Sequence, residues 1–275
     1  MTRPRGLDPQ RSRPAFRPSY KKISRRLIAS PLGDTILGAS QSQIATMIGV
    51  VIPVHNEAAL LSACLEAVDR AARHPGLEHE PVEVVVVLDA CTYHSAAVAV
   101  RHGAQIVSLD ARCVGAARAL GASFALDAGA RWLAFTDADT VVPADWLYAQ
   151  LTATADIACG PVEIEDWSGH PYGMRERFRQ EYSEGGGLQV HGANLALSAA
   201  AYRASDGFPA LRRGEDEALV ASLVARGWRV ARNALPAVVT SARWETTIEG
   251  GFAWRLRDLR VSCLAELSGT AAVAA

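Results

Sequence analysis

Four apolar runs of strand length alternate with stretches of helical spacing between residues 48 and 135, and this alternation constrains the fold more than any other feature. Residues 48–54 and 82–88 are largely β-branched, as in strands covered on both faces. Residues 105–109 and 132–135 are shorter runs of the same kind. Between the first two, Leu60, Leu61, Cys64, Leu65 and Val68 recur at helical spacing, and Pro75 with Gly76 ends that segment near residue 73. Residues 94–102 and 113–127 read as further helices. Such repetition, with right-handed crossovers, predicts an α/β chain: a mostly parallel, Rossmann-like central sheet with helices on both faces. In sheets of this type ligands bind beyond the carboxyl ends of the strands, so polar residues there are the first candidates for a site.

The run at 132–135 ends at Asp137 and Asp139. If the chain stays extended there, both carboxylates face one side, and Pro143 then stops the strand ahead of a helix beginning near Ala144. Paired acids at a strand end suit a hard divalent cation, which prefers oxygen ligands. An Asp-rich turn, or a helix cap at Asp145, explains the same residues. The second strand ends at Asp89, which would equally cap a helix. Glu215 and Asp216 begin a helix that runs to about Arg226, where acids favour the positive end of the helix dipole. His191 and Arg118 have ordinary readings too, as a packed histidine and as a long side chain lying along a helix face.

Beyond residue 151 the alternation fades. Short strands are expected at 156–161, 192–197, 228–231 and 237–240, with an amphipathic helix at 172–184 over an opening. Gly185, Gly186 and Gly187 read as a hinge or lid. A terminal helix is expected over 250–267, followed by a frayed tail. No internal repeat is present.

The 275 residues carry a net charge of −1, which excludes an overall field directed at nucleic acid. The average hides an asymmetry. Residues 1–46 hold nine Arg and Lys against Asp8 and Asp34, leaving an acidic body. This segment lacks sustained periodicity and is expected to be a disordered extension. Both lysines of the chain lie in it, and Met47 directly precedes the first strand. A start assigned too far upstream accounts for both facts; a basic arm for an anionic membrane surface or a partner is the other reading. The five cysteines form no C-x-x-C pair, which fits reduced thiols in a cytoplasm. No apolar stretch is long enough to span a membrane, and no secretory h-region stands at the N-terminus.

Taken in order, these pieces resemble the family 2 glycosyltransferases of the GT-A fold. The pieces are Ile48-Gly-Val-Val-Ile-Pro-Val-His-Asn-Glu57, the valine run ending at Asp89, Gly115-Ala-Ala-Arg118, Thr136-Asp-Ala-Asp139, Gly192-Ala-Asn194, Gly207-Phe-Pro209 and Gly214-Glu-Asp216. The resemblance runs from about residue 48 to at least 228. It implies one glycosyltransferase domain over 47–275, with a nucleotide-binding half at 47–150 and an acceptor-binding half at 151–275. It also implies an inverting, non-processive transfer of a sugar to an acceptor hydroxyl. Pro53, Asn56, Glu57, Asp89, Arg118 and Asp137 would bind the nucleotide-sugar, Asp139 would ligate Mn2+ or Mg2+, and Asp216 would be the catalytic base. His191, Asn194 and Glu215 would lie by the acceptor.

Departures from the family pattern leave the donor open among UDP-, GDP- and dTDP-sugars, because Asp89 is followed by Ala90-Cys-Thr92 in place of a second acid and a Gly-Ser turn. Ser241-Ala-Arg-Trp244 only partly matches the Gln-x-x-Arg-Trp signature of processive synthases, so Arg243 reads either as a diphosphate contact or as a surface charge. The acceptor class, whether glycan, lipid or small molecule, is not specified, and membrane contact is expected to be peripheral at most. A glycosyltransferase-like protein that binds without turnover is the alternative. A pyrophosphorylase or a nicotinamide dehydrogenase would need a glycine-rich loop after the first strand, and none is present.

Overall fold

The computed structural model describes residues 46–184, 190–232, 235–245 and 251–273. The expected N-terminal extension, apart from residue 46, and the Gly185–Gly187 hinge lie outside them. Strands β1 (Met47–Val54), β2 (Val82–Asp89), β3 (Gln105–Leu109) and β4 (Ala130–Phe135) alternate with helices α1 (Ala58–Ala72), α2 (Tyr93–Arg101) and α3 (Val114–Asp127). Pairing of β1 with β2 and β4, and of β2 with β3, is parallel throughout. The main sheet is completed by β6 (Ile157–Cys159), β8 (Leu195–Ser198) and β9 (Val230–Ala231), in the order β3-β2-β1-β4-β8-β6-β9. Strand β8 runs antiparallel to both β4 and β6.

Apolar residues on both faces of the strands bury against helices, which is why the runs do not alternate. Ile48, Val50 and Ile52 pack on one side with α1 and with Trp146 and Leu147 of α4 (Trp146–Thr152). Val51, Val85, Val87 and Leu133 pack on the other with α3 and with α7 (Glu215–Ala225). Each fully buried aliphatic side chain contributes about 1.5–3 kcal/mol relative to exposure. A small second sheet, β5 (Thr140–Val141), β10 (Val238–Thr240) and β7 (Val162–Glu163), lies in the order β5-β10-β7. A separate apolar cluster joins Met174 and Phe178 of α5 (Met174–Glu184) to Leu256, Leu259 and Cys263 of α8 (Phe252–Val273).

Three sequence expectations are corrected. Asp137 and Asp139 are not on extended chain: β4 stops at Phe135, and a turn follows in which Thr140 N–H donates to Asp137 O at 3.1 Å. That turn feeds β5, so Pro143 does not end β4. Residues 192–194 form a 3-10 turn, and the strand there begins only at Leu195. The terminal helix runs past residue 267 to Val273 where a frayed tail was expected.

Candidate functional site

The carboxyl ends of β1, β2 and β4 open onto one region, and the first loops there are laced to each other. Asn56 sits at φ 58°, a left-handed conformation that Asn tolerates better than most residues. Its side-chain oxygen accepts from Thr92 N–H at 2.9 Å and from the Thr92 hydroxyl at 3.2 Å. The Cys91 thiol donates to Val54 O at 3.0 Å. Cys91 thus holds the turn after β1 against the turn after β2, a role that spacing alone did not signal.

Asp89 was expected to meet a nucleotide base, but its carboxylate is taken up by the chain itself. One oxygen accepts from Ala111 N–H at 2.7 Å and Arg112 N–H at 2.8 Å; the other accepts from Cys113 N–H at 2.6 Å. The residue is buried. It fixes the path of 111–113 into α3.

At the start of α3, Gly115 packs so closely on the 207–211 loop that an added Cβ would stand 2.1 Å from Pro209 O. Three residues on, the Arg118 guanidinium is only 4% exposed and joins two distant segments. It donates to Asp137 Oδ1 at 2.5 Å, and it pairs with Glu215. Burial opposes the charge on Arg118, but Asp137, Glu215 and Asp216 outweigh it and the group is held charged. Burial lifts the Glu215 carboxyl above its usual range, with Arg118 pulling the other way. Glu215, expected by the acceptor, is buried and paired with Arg118, and so anchors the first turn of α7. Arg118 is a strut between the turn after β4 and α7, with its charge already consumed by protein carboxylates.

Asp216, the next residue of α7, is half-buried. Its Oδ2 accepts from Gly192 N–H at 2.6 Å and its Oδ1 from Glu217 N–H at 2.9 Å. Each oxygen keeps a further lone pair for a hydroxyl. A Cβ at residue 192 would fall 2.2 Å from the Arg118 guanidinium carbon, so glycine is what lets this loop close over the strut. Beside it, the His191 ring stacks on Tyr182, with centroids 5.7 Å apart, and Nε2 lies 2.8 Å from the Tyr182 hydroxyl. Burial lowers the His191 pKa against the opposing pull of Asp216. The nearby Asn194, expected by the acceptor, is fully buried and spent: Oδ1 accepts from Trp146 Nε1 at 2.9 Å, and Nδ2 donates to Pro161 O at 2.9 Å and Pro236 O at 3.0 Å.

Asp139 lies two residues beyond Asp137 in the same turn. Its Oδ2 is 3.3 Å from Arg243 Nη2, and Thr240 Oγ1 donates to its Oδ1 at 3.4 Å. Arg243 also pairs with Glu57, the residue preceding α1. Burial first, then Asp137 and Glu57, push the Asp139 carboxyl up to about 6, while Arg243 pulls it down. Glu57, Asp137 and Asp139 supply only oxygen donors, the set a hard divalent cation takes, and their mutual repulsion is what a cation would relieve. The residues present fit such an ion. Among the described residues no ready-made cluster of three or more ligating side chains is gathered.

A mostly parallel α/β sheet with carboxylates beyond the carboxyl ends of its strands is the layout in which open α/β enzymes place their ligand site. The family model for Glycosyl transferase family 2 matches residues 49–206, more than half of the chain, and the chain belongs to that family. Solved structures agree on the fold. The mannosyltransferase PcManGT from Pyrobaculum calidifontis, in complex with GDP-Man and Mn2+, is 20% identical with a TM-score of 0.54; the match covers 78% of this chain and 61% of that one. S. aureus TarS 1-349 in complex with UDP-GlcNAc is 17% identical with a TM-score of 0.53, covering 76% and 60%. This chain thus spans about three fifths of the length of both. No curated protein sequence matches it significantly.

Proposed function

We propose that this protein transfers a single sugar from a nucleotide-sugar to an acceptor hydroxyl, with inversion at the anomeric carbon and with the help of Mn2+ or Mg2+. The observation that carries the reading is that the Arg118 strut ties Asp137 to the first turn of α7, where Asp216 is held by Gly192 N–H, while Asp139 follows Asp137 in the same turn. Pro53, Asn56 and Glu57 border the donor side, and Asp139 would hold the metal, with Glu57 and Asp137 beside it. When bound, the ion would offset the charge that develops on the departing diphosphate.

Asp216 would take the proton from the acceptor hydroxyl as it attacks. Its anchoring by Gly192 N–H keeps the carboxylate aimed while leaving a lone pair free. A base on the acceptor side, with the diphosphate leaving opposite, gives inversion. His191, next to this carboxylate, would border the acceptor. Asp89 and Arg118 would act indirectly, by shaping the 111–113 loop and by joining the two halves of the domain. The nucleotide-sugars bound by PcManGT and TarS support that donor class without choosing the base. The acceptor would be a glycan, lipid or small molecule, met in the cytoplasm with at most peripheral membrane contact. Among the described residues no helix is long and apolar enough to cross a membrane.

The test compares the full chain with Asp216→Asn and Asp139→Ala. Binding is read by thermal shift against UDP, GDP, dTDP and CDP with and without Mn2+, since a ligand of the folded state alone raises its stability. Transfer is read from donor turnover. Asp216→Asn keeps an acceptor for Gly192 N–H, so it should abolish transfer and leave nucleotide binding intact; equal loss of both would sink the base assignment. Asp139→Ala should remove the Mn2+-dependent part of the shift. Nucleotide binding without turnover in the wild-type chain would favour the non-catalytic reading.

A further inference from the structure

The carboxylates of the donor site are neutralised by two arginines in physically different ways. Arg118 is 4% exposed, tied to Asp137 and Glu215, and closed over by Gly192. It cannot leave without exposing buried charges. Arg243 is 44% exposed, while the Glu57 and Asp139 side chains that it bridges are each only 16% exposed. Its guanidinium covers the two acids from the solvent side, where an exchange of partners exposes no buried charge of its own.

The backbone that carries Arg243 is nevertheless held at both ends. On one side, Ser241 N–H donates to Asp139 O at 3.2 Å, and the Thr140 and Thr240 hydroxyls meet at 3.1 Å. On the other, the Arg260 guanidinium lies over the Trp244 ring, 4.8 Å from its centroid, and Arg260 Nη1 donates to Gly169 O at 2.6 Å. A fixed backbone carrying a half-exposed side chain between the anchors is the arrangement of an exchangeable counter-ion.

We propose that Arg243 and the divalent cation are alternative occupants of one position: the guanidinium balances Glu57 and Asp139 in the empty site and is displaced when the cation enters. The inference rests on the metal reading of Asp139 proposed above. It gives the partly matching Ser241-Ala-Arg-Trp244 segment a defined task. It also implies an order of events. A cation alone must compete with a resident charge, whereas a cation arriving with a diphosphate offers Arg243 a new anionic partner, so the metal binds well only together with the nucleotide.

The experiment titrates Mn2+ alone into the full chain and reads free Mn2+ by electron paramagnetic resonance. Wild type, Arg243→Gln and Arg243→Lys are compared, then re-measured with UDP and with GDP; thermal melts verify that each variant is folded. Removing a half-exposed opposing charge should tighten Mn2+ binding by Arg243→Gln about tenfold without nucleotide. Arg243→Lys, which keeps the charge, should stay close to wild type. If Arg243→Gln binds Mn2+ alone no more tightly than wild type, the shared position is refuted even though the metal site stands. If Mn2+ binds none of the proteins, with or without UDP or GDP, the metal reading itself fails and takes this inference with it.

Discussion

A buried polar side chain is shared out among its neighbours before any ligand arrives, and Asn194 is the plainest case. Both of its N–H donors and its carbonyl oxygen are used, by Pro161, Pro236 and Trp146, tying α4 and the turn before β8 to the segments around β7 and β10. Asn194→Ala should lower stability by about 3 kcal/mol or more, because each buried partner left unpaired costs about 1–3 kcal/mol. Chemical denaturation measures this. A loss of acceptor affinity with stability unchanged would restore the acceptor contact expected from sequence. Glu215 is committed in the same manner, to Arg118. Asp216, one residue further, keeps an open edge because its helical neighbour turns inward while it turns toward Gly192.

Helices α5 and α8 illustrate what sequence periodicity can and cannot reach. The amphipathic pattern over 172–184 correctly marks a helix, observed as Met174–Glu184, but it does not say what covers its apolar face. The partner is α8, through Phe178, Leu256, Leu259 and Cys263, in a cluster apart from the two that flank the main sheet. Leu256 is fully buried there. Leu256→Ala should cost about 2–5 kcal/mol of local stability. Hydrogen exchange should show faster opening of α5 and α8 with β1 to β4 unchanged; uniform loss across the sheet would contradict a separate cluster.

At the scale of the molecule, the two halves proposed for donor and acceptor, 47–150 and 151–275, contribute strands to one sheet. Strand β4 pairs with β1 on one edge and with β8 on the other, so the boundary between the halves falls inside a hydrogen-bonded ladder. The Arg118 strut crosses the same boundary. Calorimetry of the full chain should therefore give one cooperative transition, with equal calorimetric and van't Hoff enthalpies. Two resolved transitions would mean that the halves fold separately.

The sequence by itself determined the strand–helix alternation from β1 to β4, their near-exact bounds, and the placing of Asp89, Asp137 and Asp139 at strand ends. Each of these follows from local patterns: apolar runs, helical spacing, and Pro or Gly at the breaks. Only the tertiary structure decided which acids remain open. Asp89 is consumed by three backbone N–H groups 22 to 24 residues away and Glu215 by an arginine 97 residues away, whereas Asp139 only faces a half-exposed arginine 104 residues away. Partners at such separations leave no trace in local periodicity. A carboxylate's availability is set by the charges and donors that the fold brings beside it, so it becomes visible only when the chain has closed.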